Sequence, residues 1–412
     1  MVTAISDDLF TSAVVADPYT YFAQLRQEDP VHWNELYELW VITRYDDLIW
    51  VTRHPELFSS AWWKNDARPP YPAIDESDEG LYEFVRNFFA DWFIQHDRPE
   101  HLDMRKVVHG YFTPKAMEDW RPMVQSAIKY LLDDAVEQGR MDAMKDFAIP
   151  LPLLVIAQMM GMPNQDRPFI RALAEKLLFL GRGELDRMEP LSEGIKGLQE
   201  YLEPIVEERF AKPGDDLLSV LVRGEKEGVF TRAEVLANAI LLLLAGHETT
   251  INLICNGTLA FTRHPDQWQL FKKNPAMSLP PLLVRATEEC LRYDAPVRSI
   301  QRIAAVDVEL RGKVIKKGDR LRWFITSANR DPEVFAEPDK FDITRWPNQH
   351  VAFGSGIHHC LGATLGRLEG QEAFKALAGR FPSLHLEIKE KELEYQPSVT
   401  FRSLKSLPVS WN

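Results

Sequence analysis

The stretch FGSGIHHCLG, Phe353 to Gly362, sets two histidines beside a cysteine in a run holding three glycines. Thiolate and imidazole both bind transition metals, so the pattern first raises a shared metal site. Structural zinc takes four ligands, usually as two spaced pairs. The chain has three cysteines, Cys255, Cys290 and Cys360, and no second Cys/His cluster. Adjacent side chains such as His359 and Cys360 rarely converge on one small ion. Zinc fails on ligand count.

A lone thiolate suffices where a porphyrin supplies the other four donors to iron. Gly354 and Gly356 would let the backbone lie close to a flat macrocycle. The residues after Cys360, LGATLGRLEGQEAFKALAGRF, read as a helix. The sulfur would then sit at a helix N-terminus, beside free N–H groups and a favourable dipole. Phe353 would shield it from water, and His358 would turn towards a heme propionate. The competing reading is a buried structural cysteine in a glycine-rich turn.

Such a site needs a large scaffold. A length of 412 residues admits two or three domains, or one large unit, and 45% hydrophobic content provides a sizeable core. A net charge of −13 argues against nucleic acid as the main partner. The odd, low cysteine count argues against a disulfide framework and fits a reducing compartment. The start, MVTAISDDLFTS, reads as no signal peptide. The apolar runs 148–162 and 239–246 are broken by prolines or short, so neither reads as a membrane span. The expectation is a cytoplasmic protein that works without a membrane.

The region Val31 to Tyr45 predicts a small hairpin. From Pro99 to about Arg380, apolar residues recur at helical spacing, with breaks at Thr113-Pro114, Met162-Pro163, Pro213-Gly214 and His264-Pro265. A second β-rich patch is predicted between Arg302 and Phe324, turning at Arg311-Gly312 and Lys317-Gly318, and a third from about Leu384 to Val409. The fold class expected is mainly α with small β-sheets, as one continuous domain.

The loop FGSGIHHCLGATLGR resembles the ligand loop of the cytochrome P-450 superfamily, soluble bacterial type. That pattern, Phe-Gly-x-Gly-x-His/Arg-x-Cys-x-Gly, is matched at Phe353, Gly354, Gly356, His358, Cys360 and Gly362. The resemblance makes Cys360 the proximal ligand of heme b, iron protoporphyrin IX. It implies the triangular helical prism of that family, as a single heme domain over 1–412: a β-rich part at about 30–60, a helical core at about 97–300, the ligand loop at 353–362 and a β-tail at about 384–410. One departure is Gly366, where such proteins more often carry alanine.

Further matches spread over nearly the whole chain. LLLLAGHETTINLICNG lies in an apolar-periodic stretch from about Thr231 to Arg263. AGHETT resembles the family's oxygen-activation motif, which assigns Ala245 and Gly246 to the heme's distal side and Glu248 and Thr249 to proton delivery. A threonine hydroxyl can bond back to a carbonyl one turn earlier and loosen the helix there. EECLR resembles the Glu-x-x-Arg motif, giving Glu289 and Arg292; spacing alone admits Glu288 with Arg292 equally well. PDKFDITRW adds Arg345 to what the family builds as a structural Glu-Arg-Arg network. HDRPEHLDMRKVVHGYFTP resembles the helix gripping the heme carboxylates, through His101 and Arg105 at i,i+4. Arg302 would join them with His358. For each basic residue the plain alternative is a solvated charge.

The resemblance implies a monomeric heme-thiolate monooxygenase that inserts one oxygen atom from O2 into a hydrophobic small molecule. Because the late strands run almost to Asn412, electrons are expected from a separate ferredoxin and ferredoxin reductase, docking near Lys106, Lys115, Arg121 and His359. A peroxide-driven peroxygenase and a non-catalytic heme sensor are the alternatives. The substrate pocket would draw on an aromatic-rich segment holding Trp62, Trp63, Tyr71, Phe84, Phe88, Phe89, Trp92 and Phe93, which reads almost equally well as a closed stack. Leu241, Leu244, Ala245, Val297, Ile300 and Phe401 are further lining candidates. Arg298 reads as a surface residue, with a substrate carboxylate as its other option, and Cys255 and Cys290 as helix-packing residues.

Overall fold

The computed structural model of the chain describes residues 5–65, 79–177, 188–273, 281–381 and 383–411. Its longest helix is Arg232–Arg263, about 48 Å at 1.5 Å per residue. Thr231 starts it with a full capping box: its side chain accepts from the Glu234 N–H while Glu234 accepts from the Thr231 N–H. Polarity at the first turn then gives way to apolar residues on all sides, so the helix can only be a core helix. Of its most apolar stretch, 83% is buried within the protein.

The predicted breaks fall between helices. Thr113 caps Pro114–Gln138, with proline at the first position where its missing N–H is harmless. Pro265 opens a new helix directly after the central one. Behind the cysteine loop, the helix Ala363–Arg380 packs across the central helix and beside the helix Leu282–Tyr293.

The early hairpin pairs Val31–Asn34 with Leu39–Ile42, in register Val31↔Ile42. It belongs to a five-stranded sheet completed by Arg320–Phe324, Ser299–Ala304 and Phe58–Ser59. Leu39–Ile42 runs parallel to Arg320–Phe324, while that strand pairs antiparallel with Ser299–Ala304. Arg311 and Gly312 both take positive φ, the geometry of a tight hairpin turn between Val308–Leu310 and Lys313–Ile315. The tail strand Pro408–Ser410 returns to pair with Arg140–Asp142 and His385–Leu386. One apolar cluster runs from Val31 to Val409, joining the sheet ends to the helices.

Candidate active site

The cysteine loop is held from both sides. Phe353 O accepts the Cys360 N–H at 2.9 Å, closing the loop on itself. Gly354 and Gly356 both lie at φ near +70°, a region where a side chain is strained. Open space surrounds the missing Cβ of Gly354, but a Cβ on Gly356 would strike the Thr52 carbonyl of the helix Tyr45–Arg53. Gly356 therefore lets the loop press on a neighbouring helix.

Cys360 stands two residues before Gly362, which caps the helix Ala363–Arg380. Its thiol is open to solvent on one side. Enclosure by the protein on the others raises its pKa, opposed by the Gly362 N–H and by the charges of Arg105 and Arg367. Cys360 is thus not a packed core cysteine. Cys255 and Cys290, by contrast, are 1% exposed, and burial pushes both thiols up.

Next to the loop, basic groups crowd together. His101 and His358 meet with ring centroids 3.8 Å apart. His101 is fully buried with neither ring nitrogen hydrogen-bonded, and Nδ1 of His358 is likewise buried without a partner. Burial, Arg105, His96 and Arg302 hold the His101 pKa down to about 4, and burial and the same two arginines depress His358. The Arg302 guanidinium lies 4.9 Å over the Trp323 ring and shares a cavity wall with Ile300, Gly354 and His358. Burial pulls its pKa down to about 10, and only Asp97 opposes. Arg105 donates to the His359 carbonyl at 2.6 Å. His101 and His358 thus meet with buried ring nitrogens left unbonded, beside the half-exposed Arg105 and Arg302, which costs free energy unless a partner completes them. Two carboxylates on a ring whose iron takes one thiolate fit this donor set.

Ser59, Ser60 and Asp97 were not legible in advance. Ser60 Oγ lies 2.8 Å from His358 Nε2, and Asp97 accepts from Ser59 Oγ and from the Ser60 N–H. Only a serine pair ahead of the aromatic segment hinted at this anchor.

On the central helix, Thr249 Oγ1 donates to the Ala245 carbonyl at 2.8 Å, one turn back. Ala245 is exposed and Gly246 and Thr249 half-exposed on this buried helix, whereas Glu248 is 5% exposed. His247 points away and binds the Ile149 carbonyl at 3.1 Å. Glu289 and Arg292 pair at 2.8 Å with no exposure, and Arg345 reaches Glu289 at 3.2 Å. Glu288 instead binds Arg367 and His350, which resolves the choice that spacing left open.

Among the aromatic candidates, Trp62 and Trp63 stack at 4.4 Å, Trp63 on Phe89 at 5.2 Å, and Phe89 meets Trp92 edge-on at 4.6 Å. Phe89 has no exposed surface, Phe88 and Trp63 very little. These three form a closed stack, while Trp62 is half-buried. Tyr71 lies outside the described residues. Val297 and Phe401 sit side by side through an isolated bridge, both half-buried, and Leu241 and Leu244 are buried on the central helix.

Two expectations need correction. Arg298 is 1% exposed, held by the Ser398 carbonyl, so it is no surface residue. It fastens the tail segment 398–402 to the strand region. Arg121 is not free for a partner either: it is ion-paired with both Glu118 and Glu372. Lys106, Lys115 and His359 are exposed.

The fold and this loop define a heme-thiolate type of protein, and comparison with known proteins agrees. The family model for cytochrome P-450 matches residues 185–405. The polyketide biosynthesis cytochrome P-450 PksS of Bacillus subtilis is 35% identical, over 96% of each chain. The cytochrome P-450 monooxygenase PikC of Streptomyces venezuelae is 37% identical, over 96% of this chain and 91% of PikC. The crystal structure of CalO2 superposes with a TM-score of 0.89 at 30% identity, covering 99% of both chains. The chain belongs to the cytochrome P-450 family and is a monooxygenase of it, and that family carries heme iron.

Proposed function

We propose that this protein inserts one oxygen atom from O2 into a hydrophobic small molecule, with electrons from a separate ferredoxin and its reductase. The observation that carries the reading is the cluster of basic groups, His101 and His358 with unbonded ring nitrogens beside Arg302 and Arg105, set next to the loop of Cys360. Cys360 Sγ would ligate the iron of heme b, and the four basic side chains would hold its carboxylates. Bound there, the heme supplies one-electron chemistry and the activation of dioxygen.

The chain's own residues do the rest. The Thr249 hydroxyl, parked on the Ala245 carbonyl one turn back, holds a proton there. Glu248, one residue earlier and nearly buried, passes protons inward. That hydroxyl-on-carbonyl geometry favours the O2 route, since a peroxide-driven enzyme needs no such relay. Trp62, Ile300, Val297 and Phe401 supply apolar and aromatic surface for the substrate. A bulky apolar substrate also agrees with PksS being named for polyketide biosynthesis.

The reduced protein under carbon monoxide should give the strongly red-shifted Soret band of thiolate ligation; a histidine-type spectrum would remove Cys360 from the site. With a surrogate ferredoxin, its reductase and O2, Thr249→Ala should consume reductant while forming at least tenfold less product per electron. Unchanged coupling would dismiss the relay.

A further inference from the structure

Glu288 and Glu289 stand side by side on the helix Leu282–Tyr293 but serve different ends of the molecule. Glu289 faces the structural network, whereas Glu288 faces the cysteine loop. Its two oxygens take a fork from Arg367, Nε at 2.7 Å and Nη2 at 2.9 Å. Nε2 of His350 lies 3.0 Å from Oε2 of the same carboxylate. Since His350 Nδ1 accepts the Ala352 N–H at 3.2 Å, its proton sits on Nε2 and is donated to Glu288. Burial would raise the Glu288 pKa, but these two partners hold it down to about 2.

One carboxylate therefore grips the chain both before and after Cys360. Between those grips lies Phe353. The Arg367 guanidinium sits 4.3 Å from the centre of its ring, and the Phe353 carbonyl binds the Cys360 N–H. A guanidinium held by a carboxylate fork is fixed in plane and position in a way that a flexible charge is not. Through Phe353 the charge is thus held beside the segment that carries the sulfur. Arg105 also touches the loop, donating to the His359 carbonyl, but its counter-charge is the heme carboxylate assigned to it above. Arg367 takes its counter-charge from Glu288, so Glu288 regulates how much positive charge this side of the loop carries.

We propose that Glu288 and Arg367 are positioning residues for the iron ligand: the Glu288 fork aims Arg367 onto Phe353 and thereby sets how strongly the Cys360 sulfur donates to iron. This rests on Cys360 being that ligand. A positive charge near the sulfur weakens its donation and favours the reduced iron, and a negative charge does the reverse.

The test measures the ferric/ferrous midpoint potential and the iron–sulfur stretching frequency of the heme-loaded protein. Arg367→Gln removes the charge and should lower the potential and raise the stretching frequency. Glu288→Gln leaves Arg367 an acceptor but no counter-charge, so both readouts should shift the opposite way. Arg367→Lys keeps the charge and should stay nearer wild type than Arg367→Gln. A purely structural role would destabilise all three without opposite shifts. If Arg367→Gln fails to hold heme, Glu288→Gln decides by whether its potential rises. Readouts unchanged, or shifted the same way in both glutamine variants, would overturn the proposal. A wild-type carbon monoxide spectrum without the thiolate band would instead remove the Cys360 reading, and this inference with it.

Discussion

Glu369 sits at 1% exposure on the helix behind the cysteine loop, where its Oε2 accepts from Thr250 Oγ1 at 3.2 Å and its Oε1 has no bond. Burial drives its pKa from an ordinary 4.5 up to about 8, only partly opposed by Thr250. The folded state therefore keeps this acid neutral while the unfolded chain ionises it. Because the folded pKa is the higher one, the group's full contribution to stability is present below about pH 4.5 and is lost as pH rises towards 8. Glu369→Gln has no proton to lose. It should match wild type near pH 4.5 and exceed it near pH 8 by an amount on the order of a few kcal/mol. Urea midpoints at several pH values provide the measurement, and parallel slopes in the two proteins would refute the assignment. A glutamate in an apolar-periodic helix was visible in the sequence, but its partner Thr250 is 119 residues away and no spacing links them.

Between elements, close approach is decided by glycines whose purposes differ. Gly257 on the central helix lies where a Cβ would overlap the Phe374 ring and press on Cys290 Sγ at 3.1 Å. Three helices meet there, and Phe374 is fully buried. Gly366, in the helix that carries Phe374, would place a Cβ 3.7 Å from the Phe353 ring, an ordinary contact. Gly257→Ala is expected to cost roughly 1–3 kcal/mol through overpacking. Gly366→Ala is expected to stabilise by up to about 1 kcal/mol through helix propensity and reduced unfolded-chain freedom. Thermal unfolding of both variants checks the contrast; two changes of the same sign would break it. The existence of these helices was readable from Thr231, Pro114 and Pro265, because caps and prolines act locally. Their crossings were not, because a glycine inside an apolar pattern looks the same at a packed crossing as at an open face.

At the scale of the molecule, the longest-range links were the least legible. Leu39 pairs with Arg320 across most of the chain, and nothing in either strand names the other. Arg298 misled because a charge in sequence suggests solvent, whereas here it is 1% exposed and donates to the Ser398 carbonyl. The Glu289 network was legible only through resemblance, yet it organises a large segment. Its carboxylate accepts from Arg292, Asn348 and the Asp342 N–H, and Arg345 joins at 3.2 Å. Arg292 in turn binds the carbonyls of Asn329, Pro338 and Lys340, and Arg345 those of Ala336 and Glu337. Residues 329–348, which lead into the cysteine loop, are thus laced to one buried anion. Removing that anion leaves two guanidinium groups in the protein with no counter-charge, a loss of about 3–5 kcal/mol. Glu289→Gln should therefore lower the urea midpoint by that equivalent. It should also release heme, followed by its Soret band, before the helices melt, followed by far-UV circular dichroism, because the loop is untied first while the central helix keeps its own core. Coincident transitions in the variant would mean that the network supports the whole fold evenly and not the cysteine loop in particular.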